Sequence, residues 1–169
     1  MMSRILIIGC SGTGKSTLAR RLGKLCDLPY IDTDAMYWRA EWTPVPAAEV
    51  VKALPLNSDR WVIDGNFADC RDDVWRQADC IIWLDYPLWR VLCRVTARNL
   101  KWWVTRKQIW SENQMTLARV ISGIRFAWRR HPHIRRTYPA FLNEFEGKAI
   151  HVFSSPRECD AWVAAQAVP

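Results

Sequence analysis

The chain carries a glycine-rich stretch, GCSGTGKST at residues 9–17, directly after the apolar run ILII. It matches the pattern G-x-x-x-x-G-K-[ST], with Gly9, Gly14, Lys15 and Ser16 at the fixed positions. In such a phosphate loop, backbone N–H groups surround phosphate oxygens, the lysine reaches the β- and γ-phosphates, and the serine hydroxyl binds Mg²⁺. The stretch predicts binding of ATP and Mg²⁺, with a catalytic role for Lys15. The predicted nucleotide-binding residues are Gly9, Cys10, Ser11, Gly12, Thr13, Gly14, Lys15, Ser16 and Thr17.

A loop of this kind works together with a carboxylate at the end of a strand, which holds Mg²⁺ directly or through water. Two aspartates follow apolar runs, Asp64 in WVIDGN and Asp85 in IIWLDYP. Asp64 precedes Gly65, which lets the chain turn close to the phosphates. We predict that the Asp64 carboxylate and the Ser16 hydroxyl bind Mg²⁺. Asp64 and Gly65 are also predicted to form part of the substrate site. Asp85 stays open as the alternative, and either carboxylate could instead cap the next helix.

The stretch YIDTDAMYW, residues 30–38, supplies candidates for a phosphate acceptor site. In open α/β sheets ligands bind beyond the carboxyl ends of the strands, and Asp32 and Asp34 follow a predicted strand. A carboxylate there could accept the proton of an acceptor hydroxyl or join the Mg²⁺ shell, whereas the alternative is a pair of local turns. We predict Asp34 as catalytic and acceptor-binding, with Asp32, Trp38 and Arg71 as further acceptor-site residues.

Three arginines, Arg90, Arg94 and Arg98, repeat every four residues on one face of a predicted helix. Guanidinium groups recognise phosphates and stabilise the charge of a phosphoryl group in transfer. Arg94 and Arg98 are therefore predicted to be catalytic, and a solvated basic face is the alternative.

The chain has 11 tryptophans, and the default expectation places most of them in the core. Trp102 and Trp103 lie beside Lys101 and Arg106, a combination that could stack a base or bind single-stranded nucleic acid. Hydrophobic packing of the surrounding helices is the alternative that we favour for this pair.

Strand and helix patterns alternate along the chain, which predicts an α/β doubly wound sheet. The predicted strands are Arg4–Ile8, Pro29–Asp32, Trp61–Asp64, Cys80–Asp85 and Ala149–Phe153. The predicted helices are Lys15–Cys26, with Leu18, Leu22 and Leu25 towards the sheet, Ala47–Leu54, and a last helix capped by Ser155 and Glu158 that ends near Ala165. Residues 87–146 carry no strand pattern and are predicted as a helical insertion in a single domain of residues 1–169.

Bulk properties narrow the functional classes. With 169 residues, half of them hydrophobic, the chain suits one globular domain. No apolar run reaches the roughly 18–20 residues of a membrane span, and the stretch before Cys10 is too short for a secretory signal, so we expect a cytoplasmic protein. The six scattered cysteines suit free thiols. A net charge of +7 leaves nucleic acid possible as a partner without establishing it.

Five stretches together resemble one family: GCSGTGKST, DAMYW, AEWTPVP, WVIDGNF and IIWLDYPLWRVLCRV. They look like the small P-loop proteins of the DNA topology modulation (FlaR-like) family, which are related to adenylate and shikimate kinases. The resemblance runs from about Ile5 to the final helix. It implies a three-layer fold like that of nucleoside monophosphate kinases, with a five-stranded parallel sheet in the order 2-3-1-4-5. A helical lid at about residues 87–146 would lie between the fourth and fifth strands.

The resemblance also implies that Asp64 supports Mg²⁺ and that Asp32 and Asp34 lie beside the acceptor. The chain departs from both related kinases after Asp64. Adenylate kinases have Asp-Gly-Phe-Pro-Arg, where this chain has Asp64-Gly65-Asn66-Phe67-Ala68, and shikimate kinases have a glycine run. The arginine that binds the monophosphate is therefore not in its usual place, and the acceptor stays open.

The leading hypothesis from the sequence is a Mg²⁺-ATP-dependent phosphotransferase that acts on a small acceptor, such as a nucleoside monophosphate or a hydroxyl metabolite. A nucleotide-dependent DNA-binding or topology-modulating protein is the first alternative, although no helix-turn-helix pattern is visible. A simple ATPase is the second. The oligomeric state stays open.

Overall fold

The computed structural model describes residues 2–145 and 147–166. Within them the strands are β1 (Arg4–Gly9), β2 (Tyr30–Asp32), β3 (Trp61–Asp64), β4 (Cys80–Leu84), β5 (Gln108–Ile109), β6 (Asn113–Gln114) and β7 (Ala149–Phe153). Five of them form a parallel sheet in the spatial order β2-β3-β1-β4-β7, and β5 pairs with β6 in an antiparallel hairpin. Counted along the chain, the sheet strands follow the order 2-3-1-4-5, which confirms the predicted fold.

Helices connect the strands of the sheet. They are α1 (Lys15–Leu25), α2 (Thr33–Tyr37), α3 (Ala47–Ala53), α4 (Arg71–Trp75), α5 (Leu88–Val104), α6 (Leu117–Asn143) and α7 (Pro156–Gln166). The bounds of the individually predicted strands and helices differ from these by about one residue at each end. Helices α5 and α6 lie in the stretch 87–146, which was predicted as helical without individual bounds, and α2 and α4, of five residues each, were not predicted. None of the helices in the described ranges is both long and apolar enough to cross a membrane.

The core lies on the central strands. Ile5, Leu6, Ile7 and Ile8 of β1 are all fully buried. Since successive side chains of a strand point to opposite faces, both faces of the sheet must be covered. The position of β1 between β3 and β4 therefore explains why the run ILII is apolar at every residue.

Two packing predictions were wrong. Leu18 and Leu22 of α1 are buried as predicted, but Leu25 is exposed at the end of the helix, beyond the part of α1 that packs on the sheet. Of the 11 tryptophans, only Trp61, Trp75 and Trp83 are buried. The others keep part of their surface accessible, and several of these lie in a cleft described below.

The segment between β4 and β7 is mostly helical, as predicted. It also contains the short β5–β6 hairpin, which the sequence did not predict. Its strands have two residues each, too few to show a pattern of alternating hydrophobicity. Long-range bonds fix the hairpin instead: Asn113 Nδ2 donates to the Arg39 carbonyl at 2.8 Å, and the Ser111 hydroxyl donates to the Trp38 carbonyl at 2.7 Å.

The start of α7 is capped nearly as predicted. The Glu158 N–H donates to the Ser155 hydroxyl at 3.3 Å. The Glu158 carboxylate accepts from the N–H of Ser154 at 2.9 Å, one residue earlier than a standard capping box. These bonds lower the pKa of Glu158, most strongly the bond from the Ser154 hydroxyl.

Candidate functional site

The phosphate loop connects β1 to the first turn of α1. Gly14 precedes the helix with a φ of 98°, a left-handed conformation that favours glycine. A Cβ on Gly14 would lie 2.9 Å from a guanidinium nitrogen of Arg94. Arg94 of α5 therefore lies directly against the loop, and the backbone shape at Gly14 favours glycine.

The amine of Lys15 is directed back at its own loop. It donates to the carbonyls of Gly9 at 3.0 Å and of Cys10 at 3.2 Å. The amine is thus held at the mouth of the loop, and exchanging these bonds for phosphate oxygens needs only a rotation of a flexible side chain.

Asn66 fixes the entrance of the loop. Its side-chain oxygen accepts from the Gly9 N–H at 2.9 Å, and its side-chain nitrogen donates to the Gly9 carbonyl at 3.0 Å. An amide is the side chain that can donate and accept in this paired way. The carbonyl of Asn66 in turn accepts from the indole of the buried Trp75 at 3.2 Å.

Asp64 lies at the end of β3, next to the first turn of α1. The Ser16 hydroxyl donates to its carboxylate at 2.6 Å and the Tyr30 hydroxyl at 3.2 Å. The Thr33 hydroxyl donates to its backbone carbonyl. Asp64 is only 3% exposed, and burial raises the pKa of its carboxyl, against the bond from Ser16 and the charge of Lys15.

Asp85, the alternative carboxylate, has a different partner. Its side chain pairs with Arg135 of α6 at 3.0 Å. Burial raises the pKa of Asp85, and the charge of Arg135 opposes this shift. Asp85 does not line the cleft next to the loop, whereas Asp64 does.

That cleft has a volume of about 640 Å³. Ser11 and Lys15 of the loop form one end of it, and helices α5 and α6 form one wall. It is therefore continuous with the phosphate loop. Of the site residues predicted from the sequence, those that line the cleft are Ser11, Lys15, Asp34, Trp38, Asp64, Gly65 and Arg98.

The two aspartates of YIDTDAMYW have separate surroundings. Asp34 lines the cleft and is accessible to solvent from it. The protein atoms around it raise the pKa of Asp34 by desolvation, Lys15 opposes this shift, and Asp64 adds to it. Asp32 instead caps α2 by accepting from the Ala35 N–H at 3.3 Å, and it lies 3.6 Å from Arg20. The structure does not bring Asp32 to the cleft.

Arg98 joins the loop to the cleft. Its guanidinium donates to the Ser11 hydroxyl at 3.2 Å and to the Asn99 side chain at 3.3 Å, and it lies 4.7 Å from the centre of the Trp102 ring. Burial lowers the pKa of Arg98, and the charge of Asp34 opposes the shift. Arg90, the third member of the repeat, lies over Trp89 rather than in the cleft.

Four tryptophans line the cleft in a continuous row, here called the tryptophan row: Trp38, Trp42, Trp110 and Trp102. Successive ring centres are 5.4, 6.2 and 5.7 Å apart, with the planes at 77–82° to one another. Such edge-to-face contacts are favourable for aromatic pairs. Each of the four side chains keeps part of its surface exposed.

Asn113 holds the two halves of the row together. Its side-chain oxygen accepts from the Trp42 N–H at 2.8 Å, and its nitrogen donates to the Trp110 carbonyl at 2.7 Å. The Trp42 indole donates to the Gln114 carbonyl at 3.1 Å. The β5–β6 hairpin thereby fastens onto residues 39–42, and Asn113 is buried at the junction.

Arg71, predicted to bind the acceptor, does not line the cleft. Its guanidinium pairs with Glu144 and Asp72, each at 3.2 Å, and lies 3.8 Å from the centre of the Phe141 ring. Trp103, considered with Trp102 for base stacking, does not line it either. The two side chains are consecutive on α5 and so point in different directions.

Sequence reasoning missed Asn66 and the contribution of Trp42 and Trp110 to the cleft, and for Trp102 it favoured hydrophobic packing over base stacking. Asn66 stood in the motif WVIDGNF, but its bonds to Gly9 cross 57 residues of chain. Trp42 and Trp110 are 68 positions apart, so no local spacing signals their contact. The signals in the sequence were the unusual number of tryptophans and the basic residues beside Trp102.

Comparisons with known proteins agree with this fold. No protein-family profile matches the chain. It is 30% identical over 92 residues to the uncharacterized protein YqaC of Bacillus subtilis (strain 168), a match that covers 52% of this chain and 51% of YqaC. It is 58% identical over 33 residues to the cytidylate kinase of Lawsonia intracellularis, covering 20% of this chain and 15% of that enzyme. The chain thus spans about half the length of one curated relative and a small part of the other.

Among solved structures, a gluconokinase from Sinorhizobium meliloti superimposes with a TM-score of 0.55 at 16% identity. The match covers 98% of this chain and 93% of the gluconokinase. The chain therefore shares the fold of this gluconokinase over 98% of its length. The resemblance to the DNA topology modulation family stays a prediction.

Proposed function

We propose that the protein is a Mg²⁺-ATP-dependent phosphotransferase that transfers the γ-phosphate to a small acceptor in the 640 Å³ cleft. The observation that carries this proposal is the position of Arg98. Its guanidinium contacts Ser11 of the phosphate loop and Trp102 of the cleft, and it interacts electrostatically with Asp34. A cation at this junction suits stabilisation of a phosphoryl group that passes from the loop to the cleft.

In this proposal the phosphate loop binds the nucleotide. The backbone N–H groups of residues 9–17 surround the phosphates, and the amine of Lys15 exchanges the Gly9 and Cys10 carbonyls for phosphate oxygens. Arg94, which lies against Gly14, adds a second cation on the α5 side. Asn66 keeps Gly9 in place so that the loop does not have to reorganise when phosphates bind.

The residues around Ser16 fit a magnesium ion. A hydroxyl and a carboxylate lie 2.6 Å apart, and hard oxygen donors are those that Mg²⁺ prefers. Mg²⁺ commonly keeps several waters and is bound through one or two protein oxygens together with substrate phosphates. Ser16 and Asp64 would hold the ion, and when bound it neutralises phosphate charge.

Asp34 is the proposed group that orients the acceptor and accepts its proton. It lines the cleft in the neighbourhood of both Lys15 and Arg98. Its raised pKa makes the carboxylate a better proton acceptor than an ordinary aspartate. Asp69 also lines the cleft, but it is an exposed residue in the loop between β3 and α4.

The proteins similar to this chain support a kinase reaction without naming its acceptor. One is named gluconokinase and another cytidylate kinase, and the two names indicate different acceptors. The site must therefore be tested directly.

The test is transfer of radiolabelled γ-phosphate from ATP to a panel of nucleoside monophosphates, hydroxy acids and sugars. We expect a labelled product with at least one acceptor, and Asp34→Asn should lower the transfer rate by about 10²- to 10⁴-fold while ATP still binds. Asp59→Asn, at an exposed position outside the cleft, is the matched control. ATP turnover that no acceptor changes would favour a simple ATPase. Absence of transfer together with salt-sensitive duplex binding would favour a DNA-binding protein.

A further inference from the structure

We propose that the acceptor bound in the cleft carries a planar aromatic ring together with an anionic group. This inference rests on the proposed phosphotransferase function and names the class of its acceptor. It comes from the tryptophan row and from two arginines that lie over two members of that row.

The tryptophan row offers flat apolar surface to the cleft. Trp61 and Trp75 show that this fold can bury indoles completely, whereas all four members of the row stay partly accessible and face one space. A ligand that covers this exposed aromatic surface removes apolar area from water, which is favourable. A planar ring covers an indole face best, because stacking removes a large apolar area from water at once.

Two arginines set the charge of the ligand. The Arg98 guanidinium lies 4.7 Å from the centre of Trp102, and that of Arg119 lies 5.2 Å from the centre of Trp42. Both residues line the cleft. A cationic ligand would have to compete with these guanidinium groups for the same ring faces. An anionic group on the ligand would instead pair with them while the ring stacks on neighbouring indoles.

The order of contacts from the phosphate loop to the tryptophan row indicates how the acceptor is oriented in the cleft. Ser11 contacts Arg98, Arg98 lies over Trp102, and Trp102 continues through Trp110 to Trp42. The end of the acceptor nearest Arg98 and Asp34 receives the phosphate, and the ring extends along the row. An open-chain polyhydroxy acid has no flat face and would leave the indole surface uncovered.

The first experiment compares acceptors of matched charge. The aromatic panel contains the nucleoside 5′-monophosphates and hydroxybenzoates, and the non-aromatic panel contains gluconate, glycerate and ribose 5-phosphate. Binding is followed by quenching of tryptophan fluorescence, and transfer by labelled ATP. We expect tighter binding and a higher kcat/KM for aromatic anions, by about tenfold or more, in line with the stacking of bases on aromatic side chains. The two aromatic subsets then distinguish a nucleobase from a simple aryl ring.

The second experiment removes one ring or one cation. Trp102→Leu should weaken the aromatic acceptor by about tenfold and leave non-aromatic anions nearly unchanged, and Trp102→Phe should restore most of the affinity. Trp128→Leu is the matched control, because Trp128 is 62% exposed and lies outside the cleft. Arg119→Leu should weaken aromatic anions but not their uncharged analogues, with Arg125→Leu as its control outside the cleft. Melting temperatures of all variants identify any that fail to fold.

The outcomes separate the inference from the function on which it rests. Transfer to a polyhydroxy acid but to no aromatic anion overturns the inference and leaves the phosphotransferase intact. Aromatic anions that bind with loss of affinity in Trp102→Leu, but receive no phosphate, support the binding site and overturn the phosphotransferase. Equal effects of Trp102→Leu on both panels would also overturn the inference, because they indicate a structural role only.

Discussion

The Ser16 hydroxyl donates a hydrogen bond of 2.6 Å to the carboxylate of Asp64, across 48 residues of chain. This contact joins the first turn of α1 to the end of β3. It places the two oxygen donors proposed for Mg²⁺ side by side, next to the amine of Lys15.

Asp64→Asn should weaken Mg²⁺ binding in the presence of ATP by about 10- to 100-fold, because one anionic oxygen is lost from the site. The amide oxygen can still accept the bond from Ser16, and the Tyr30 hydroxyl, which donates to the other carboxylate oxygen, can instead accept from the amide nitrogen, so the fold should persist. Isothermal titration with Mg²⁺-ATP measures the change. Asp85→Asn is the comparison, and a larger loss of Mg²⁺ affinity in that variant would show that the wrong carboxylate was chosen.

Protonation of Asp34 should lower kcat/KM at acidic pH and so produce an acid limb in the profile of kcat/KM against pH. Because desolvation raises the pKa of Asp34, the carboxylate becomes protonated, and kcat/KM falls, at a pH above the ordinary aspartate value of about 3.9. The residual rate of Asp34→Asn should lack this limb. Profiles of kcat/KM against pH for the two proteins check the point, and an unchanged acid limb in the variant would assign it to another group.

The same substitution should stabilise the protein slightly. The pKa of Asp34 is raised above its unfolded value, so the folded state binds the proton more tightly. The ionised carboxylate therefore costs stability at neutral pH, and this cost disappears as the pH falls to the unfolded value of about 3.9. Solvent access from the cleft screens the charge, so the gain should be small.

Thermal melts at several pH values measure this gain. Asp34→Asn should melt above the wild type at pH 7, and the difference should shrink as the pH is lowered towards about 4. Asp59→Asn controls for the loss of one surface charge. A variant that melts below the wild type at pH 7 would indicate that Lys15 and Arg98 stabilise Asp34 more than desolvation and its acidic neighbours destabilise it.

Asn66→Asp should damage the phosphate loop with almost no change in side-chain volume. The carboxylate can still accept from the Gly9 N–H, but it meets the Gly9 carbonyl without a proton to donate. We expect a loss of about 1–3 kcal/mol in the free energy of unfolding, together with weaker ATP binding. Chemical denaturation and nucleotide titration measure the two effects. Asn57→Asp, at an exposed position, is the matched control, and equal losses in both variants would exclude a specific role for Asn66.

Arg71→Met should lower stability and leave transfer unaffected. The substitution removes the pair with Glu144 and the contact with the Phe141 ring, at a cost of about 1 kcal/mol. Thermal melting and the KM for the acceptor separate the two roles, with Arg125→Met as the control. An increase of the acceptor KM at unchanged melting temperature would return Arg71 to the acceptor site.

The sequence predicted those parts of the protein whose cause is local. The run ILII gives a buried strand, the glycines and Lys15 give the phosphate loop, and the alternation of elements gives the doubly wound sheet. Each signal lies within a few consecutive residues, where chain geometry allows few conformations. The hairpin at residues 108–114 lacked such a signal, because side chains far away in the sequence fix it.

Side chains that share a local pattern can still have different partners. Asp64 and Asp85 both follow apolar strands beside β1, and only the fold brings Arg135 to Asp85 and Ser16 to Asp64. Asp32 and Asp34 are two residues apart, yet one caps α2 and the other faces the cleft. These differences depend on the direction of a single side chain, which spacing along the chain does not specify.

The sequence by itself determined the α/β sheet and the place of the phosphate loop. Only the tertiary structure decided which residues surround an acceptor, because the cleft is assembled from α2, α5, the β5–β6 hairpin and α6, which are distant along the chain. Packing of these elements converts scattered tryptophans into one row and brings Arg98 to Ser11. Such contacts depend on how whole elements pack, and no local sequence pattern encodes them.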